Sequence, residues 1–223
     1  MPGDRRLVLM KHLFPTLYSV LWNIRSAQES GKGNRNACDV IAFASANHGE
    51  GTSTLALNFS FAFALNSLEE IVLVDGNLKT PSLHEEFGVA RRGGFTELLR
   101  GERSIDEVVY RFASSRLCFI ATGAAVDNPI LLYESPACAQ VLQDLRSRFK
   151  VIIFDLAPIV KYPEILVLSS KMDGLILVLE AENTKWEVAR YAKSCLERAN
   201  VPIFGAILNK RELFIPDLIY KML

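Results

Sequence analysis

A run of five apolar residues, Val40-Ile41-Ala42-Phe43-Ala44, leads without a break into Ser45-Ala46-Asn47-His48-Gly49-Glu50-Gly51-Thr52-Ser53-Thr54 and on into the helix-spaced apolar residues of Leu55–Leu65. Strand, glycine-punctuated loop and helix, in that order, is the arrangement in which backbone N–H groups and a helix N-terminus cradle phosphate. It commits the chain to an α/β fold made of strand–helix units. The phosphate-loop pattern is G-x-x-x-x-G-K-[ST], where the lysine reaches the β/γ oxygens and the hydroxyl holds Mg²⁺. Here the lysine position is Thr52 and the hydroxyl position is Ser53. The cradle is kept and one positive charge is missing.

The rest of the chain repeats the same alternation. Short β-branched runs at Val40–Ala44, Ile71–Asp75, Leu117–Thr122, Val151–Asp155, Leu175–Leu179 and Ile203–Leu208 are mostly apolar without a polar alternate, which predicts parallel strands covered by helices on both faces. Helix spacing appears at Leu55–Leu65, Ala137–Phe149, Ile165–Lys171 and Lys185–Ala199. An additional helix is expected from Leu13 to Gln28, followed by the linker Gly31-Lys32-Gly33-Asn34-Arg35-Asn36. The expected organisation is therefore an N-terminal helix and linker over 1–36 and one globular α/β domain over 37–223, with a mostly parallel central sheet. In open sheets of this kind ligands sit beyond the carboxyl ends of the strands, so Asp75, Asp155 and the loop at 45–54 should converge on one crevice.

Charge and composition exclude other classes. Lys plus Arg and Asp plus Glu both total 25 in 223 residues, so no global field draws in nucleic acid or an anionic membrane. About 20 consecutive apolar residues are needed to span a bilayer, and no such run occurs, so no membrane span is expected. The basic start Met1-Pro2-Gly3-Asp4-Arg5-Arg6 is followed by apolar residues broken by Lys11, His12 and Pro15, which does not read as a signal peptide. Cys38, Cys118, Cys138 and Cys195 show no metal-type spacing and read as reduced, largely buried thiols, which suits the cytoplasm. His12, His48 and His84 lack zinc spacing as well, and His48 reads as a loop residue facing water.

Seven blocks in order carry a family resemblance. The loop S-A-N-H-G-E-G-T-S-T is followed by Ile71-Val72-Leu73-Val74-Asp75-Gly76-Asn77-Leu78-Lys79-Thr80-Pro81, then Gly94-Phe95-Thr96-Glu97-Leu98-Leu99-Arg100-Gly101, then Asn128-Pro129. Val151-Ile152-Ile153-Phe154-Asp155-Leu156-Ala157-Pro158 comes next, with Asp173-Gly174 and Leu208-Asn209-Lys210 closing the set. From about Phe14 to Lys210 the chain resembles the cytoplasmic domain of the bacterial tyrosine kinases of capsule and exopolysaccharide production, relatives of the MinD/ParA type of P-loop ATPase. That resemblance implies a P-loop NTPase-like fold binding ATP or ADP with Mg²⁺. It places Gly49, Glu50, Gly51, Thr52, Ser53 and Thr54 at the phosphates, Asn209 near the nucleotide base, and Ser53, Asp75 and Asp155 around the metal. Asp75 and Asp155 are the residual catalytic candidates. The implied partner is the cytoplasmic side of a membrane polysaccharide co-polymerase or export protein.

Departures from the family pattern shape the functional expectation. Thr52 replaces the loop lysine, Asn47 stands at the signature lysine of the MinD type, and Asn77 replaces the second aspartate of the second block. An amide neither accepts a proton nor holds Mg²⁺ as a carboxylate does, and Asn77 also suits a turn after a strand. Lys79 is the candidate to reach inward in place of the missing lysine, against a surface role. The family's E-x-x-R-x-x-R ring-assembly positions fall on Thr16, Ser19 and Trp22, so a ring is not expected, and Tyr220 stands alone where the family has a tyrosine cluster. The expectation is a degenerate, weakly active or inactive kinase-like partner, the alternative being an active autokinase or ATPase with a rearranged lysine.

Overall fold

Successive residues of the central strands point to opposite layers, and both layers are apolar. In β1 (Asp39–Ser45), Val40, Ala42 and Ala44 enter one core cluster while Ile41 and Phe43 enter the other. The same division holds in β2 (Ile71–Asp75), β4 (Leu117–Ile120), β5 (Val151–Asp155) and β6 (Gly174–Glu180). A strand buried on two sides has no solvent face to alternate against, which is why these segments read as unbroken apolar runs.

The computed structural model describes residues 39–211 apart from 91, 92 and 114. The expected helix at Leu13–Gln28, the linker, His12, Cys38 and the tail with Tyr220 lie outside the described residues. Among the described residues the sheet has seven strands in the order β3-β4-β2-β5-β1-β6-β7, with β7 at Ile203–Asn209. All pairings are parallel except that of β3 (Val109–Arg111) with β4. The six expected strands are present, and β3 is an addition: three residues on an antiparallel edge are too few to show a pattern in sequence.

Helix α1 (Thr52–Asn66) follows the loop and covers one layer, where Phe59 meets Phe43 edge-on with ring centroids 5.0 Å apart. Alongside it lies α2 (Leu83–Phe87), whose Phe87 stacks on Phe119 at 4.2 Å. The opposite layer takes α3 (Phe95–Arg100), α4 (Ile105–Val108), α5 (Pro129–Glu134), α6 (Pro136–Arg148), α7 (Ile165–Ser169) and α8 (Trp186–Arg198). Here α1, α6, α7 and α8 correspond to expected helices. The helices not expected from the sequence, α2, α3, α4 and α5, are four to six residues long, less than two turns.

Chain order explains where the site lies. From β1 the chain crosses over the place of β5 to form β2, and later returns to insert β5 between them. The carboxyl ends of β1, β5 and β2 therefore form adjoining lips of one crevice, as expected for a doubly wound sheet.

Candidate nucleotide site

Two glycines with left-handed backbones shape the loop, Gly49 at φ 86° and Gly51 at φ 91°. Gly51 is the N-cap of α1 and offers no side chain, and no side chain caps this helix terminus. The first-turn N–H groups of a 15-residue helix are thus left to other acceptors, with the positive end of the helix dipole behind them. Gly51 is also required sterically, because a Cβ there would come within 2.2 Å of Asn209 Nδ2.

Glu50 organises the loop from within. Its side chain is 2% exposed and accepts from the Asn47 backbone N–H at 3.0 Å and from the Thr184 hydroxyl. Asn209 Nδ2 in turn donates to the Glu50 carbonyl at 2.8 Å. The loop shape is therefore fixed by side chains from β7 and from the turn after β6. Thr52 is buried, Ser53 half-buried, and Thr54, His48 and Asn47 exposed.

Asp75 and Asp155 end neighbouring strands and are direct register partners in the β2–β5 pairing. Both are buried, at 0% and 1% exposure. Their strand ends are tied together, since the Gly76 N–H donates to the Asp155 carbonyl at 2.9 Å and the Thr122 hydroxyl to the Asp75 carbonyl at 3.1 Å. Neither carboxyl oxygen of Asp155 has a hydrogen-bond partner among the described residues. Burial first, and the Asp75 carboxylate second, push the Asp155 carboxyl well above the usual range. The nearby Ser53 hydroxyl pulls the other way without completing a hydrogen bond. A buried carboxyl such as that of Asp155, with no hydrogen-bond donor among the described residues, is costly, so the arrangement calls for a proton or a metal ion.

The donor set suits a hard divalent cation. Ser53, Asp75 and Asp155 offer only oxygen, and no group of three or more His, Cys, Asp and Glu among the described residues holds a metal unaided. Mg²⁺ matches this set, because it takes one or two carboxylates and completes its shell with water and substrate phosphates. The crevice thus gathers the cradle, the hydroxyl and both carboxylates at one place.

The remaining candidates resolve by contact. Asn77 is a turn former: its Oδ1 accepts from the Thr80 N–H at 3.0 Å and its Nδ2 donates back to the Thr80 carbonyl at 3.1 Å. Lys79 does not reach inward, since its ammonium donates to the Asp127 carbonyl at 3.2 Å and lies 3.7 Å from Glu164. Glu97 is a feature that the sequence reading passed over. Its carboxylate accepts from the Gly94 and Ala124 N–H groups at 2.6 and 3.0 Å, pinning the loop after β4 beside the crevice. Its signal was the capping-box spacing of Gly94 and Glu97.

Comparison with known proteins follows the same line. The chain is 28% identical over 173 residues to the tyrosine-protein kinase YwqD of Bacillus subtilis, covering 78% of this chain and 73% of that one. It is 26% identical over 184 residues to the tyrosine-protein kinase CpsD of Streptococcus agalactiae, covering 82% and 78%. This chain is a relative of the bacterial tyrosine-protein kinases. The EpsB protein of Ralstonia solanacearum is 30% identical over 141 residues, 63% of this chain, but the match spans only 19% of EpsB, about a fifth of its length. Among solved structures, the VpsO kinase domain superposes with a TM-score of 0.79 at 28% identity, covering 93% of this chain and 97% of that one. The fold is also that of the Escherichia coli tyrosine kinase ETK domain (TM-score 0.75, 21% identity, 86% and 75% covered). The Mg-ADP complex of MinD from Pyrococcus horikoshii shares it as well (TM-score 0.65, 19% identity, 83% and 77% covered). No protein-family model matches the chain.

Proposed function

We propose that this chain is a kinase-like nucleotide-binding partner in exopolysaccharide or capsule production, one that holds ATP or ADP with Mg²⁺ and transfers phosphate slowly or not at all. The observation that carries the reading is the intact cradle with Thr52, buried and uncharged, where a phosphate-loop lysine would stand. Ser53, Asp75 and Asp155 would hold Mg²⁺, and Gly49, Gly51 and the first turn of α1 would receive the phosphates. Bound there, Mg²⁺ would supply positive charge against the phosphate oxygens. The loop backbone orients the phosphate chain and the buried walls exclude water.

Phosphoryl transfer rests on positioning and electrostatic stabilisation of the transferred group, and one preorganised donor at a developing charge is commonly worth about 10²- to 10³-fold in rate. Removing the loop ammonium therefore weakens turnover more than it weakens the shape of the site. Asn77, tied up with Thr80, offers no base for an attacking hydroxyl. Such a protein acts through the state of its crevice, docked at the cytoplasmic side of a membrane polysaccharide co-polymerase or export protein. No helix among the described residues is long and apolar enough to cross a membrane.

The test is a phosphate-release and self-phosphorylation assay with ATP and Mg²⁺, comparing the wild type with Thr52→Lys. The expected result is little turnover by the wild type and a gain of about 10²-fold in the variant. Wild-type turnover equal to that of YwqD under the same conditions would overturn the reading and leave an active kinase or ATPase.

A further inference from the structure

The loop lacks its own lysine, yet an ammonium group rests on it, supplied from the far edge of the sheet. Lys210, immediately after β7, donates from Nζ to the Gly49 carbonyl at 2.7 Å and lies 3.2 Å from Glu180. Its neighbour Asn209 holds the Glu50 carbonyl at 2.8 Å, so two consecutive side chains grip two consecutive loop carbonyls. Lys210 takes a left-handed backbone, φ 55°, a conformation that is strained for a non-glycine residue. Lys79 is engaged with Asp127 and Glu164, and Lys161 lies over the Tyr162 ring at 5.2 Å.

We propose that Lys210 is the phosphate-binding cation of this crevice, in place of the lysine that Thr52 displaced. The inference rests on the reading of the crevice as a nucleotide site. An ammonium carries three donors; among the described residues Lys210 donates to Gly49 and forms an ion pair with Glu180. Its four-carbon stem is flexible and its side chain is half-exposed, so the head exchanges the Gly49 carbonyl for an oxygen of a bound di- or triphosphate without disturbing β7. A phosphate oxygen is the stronger acceptor, because the hydrogen bond is then assisted by charge on both partners. Glu180 keeps the stem over the loop, and Asn209 keeps the loop in register with it. Lys210 is thereby a binding and positioning residue for the anion.

The experiment titrates ADP, ATP and adenosine into the full chain by calorimetry, for the wild type, Lys210→Met, Lys210→Arg and the double variant Thr52→Lys/Lys210→Met, with thermal melts to verify folding. Lys210→Met is expected to weaken ADP and ATP by about 10- to 100-fold while leaving adenosine unchanged, as for a hydrogen bond to a charged group. Lys210→Arg should keep most of the affinity, and the double variant should regain it. ADP binding by Lys210→Met equal to wild type overturns the proposal. An equal loss for ADP and adenosine does so too, because it assigns the residue to holding the loop alone. A wild type that binds ADP no better than adenosine overturns both this proposal and the nucleotide reading. Brisk wild-type turnover, combined with a phosphate-selective loss in Lys210→Met, removes only the low-activity reading and leaves Lys210 in its role.

Discussion

Aspartates stand at both ends of the central sheet, and they are treated in opposite ways. At the amino end of β6, Asp173 receives Arg146 through two hydrogen bonds of 2.8 Å and the Val40 N–H at 2.7 Å, with its side chain about a third exposed. At the carboxyl ends of β2 and β5, Asp75 and Asp155 are almost wholly buried side by side, and the Asp155 oxygens meet no hydrogen-bond donor among the described residues. The Asp173 carboxylate stabilises the fold, since both of its oxygens are answered within the protein. Asp155 weakens it, because a buried carboxyl without a hydrogen-bond donor is costly.

That contrast fixes the sign of two substitutions. Asp173→Ala removes two hydrogen bonds from Arg146 and the acceptor of the Val40 N–H, and should lower unfolding free energy by about 2–3 kcal/mol, measured by urea denaturation. A loss below about 0.5 kcal/mol would remove the structural role. Asp155→Asn goes the other way. Without nucleotide it removes a buried carboxyl held above its ordinary range and should leave stability unchanged or raise it by about 1 kcal/mol, while abolishing any stabilisation by Mg²⁺ with nucleotide. Stability that falls sharply in this variant would mean that the Asp155 charge is answered in the unliganded fold, and the contrast between the two ends would collapse.

A smaller effect separates buried from half-buried thiols. Burial pushes the thiols of Cys118 and Cys138 up to about 12 and about 11, whereas Cys195 on α8 is only half-buried. Only the thiolate reacts with alkylating agents. Iodoacetamide at pH 8 should therefore modify Cys195 well before Cys118 or Cys138, read by mass spectrometry of peptides. Early labelling of Cys138 would show that α6 opens from the sheet more readily than its packing implies.

How much of this was legible depends on the distance over which each feature is encoded. The glycine loop after β1 and the strand ends at Asp75 and Asp155 could be located directly, because a strand, its terminal residue and the following turn are contiguous in sequence. Asn77 had two readings, turn former or metal and base site, and only its paired contacts with Thr80 decided between them. Lys79 likewise faced two directions, and the position of Asp127 and Glu164 around its ammonium chose the outward one. The short strand β3 and the helices α2 to α5 escaped because one or two turns of chain carry no period.

The sequence by itself determined the α/β alternation, the doubly buried strands and the cradle with threonine in place of lysine, since all of these follow from the order of apolar and small residues along short stretches. Tertiary structure alone decided which charges meet. Lys210 reaches Gly49 across 161 residues of chain and Arg146 reaches Asp173 across 27. The physical reason is that an apolar pattern specifies which face of an element is buried, while a salt bridge or an ammonium on a carbonyl depends on how separately folded elements are brought side by side, and no local run of residues encodes that.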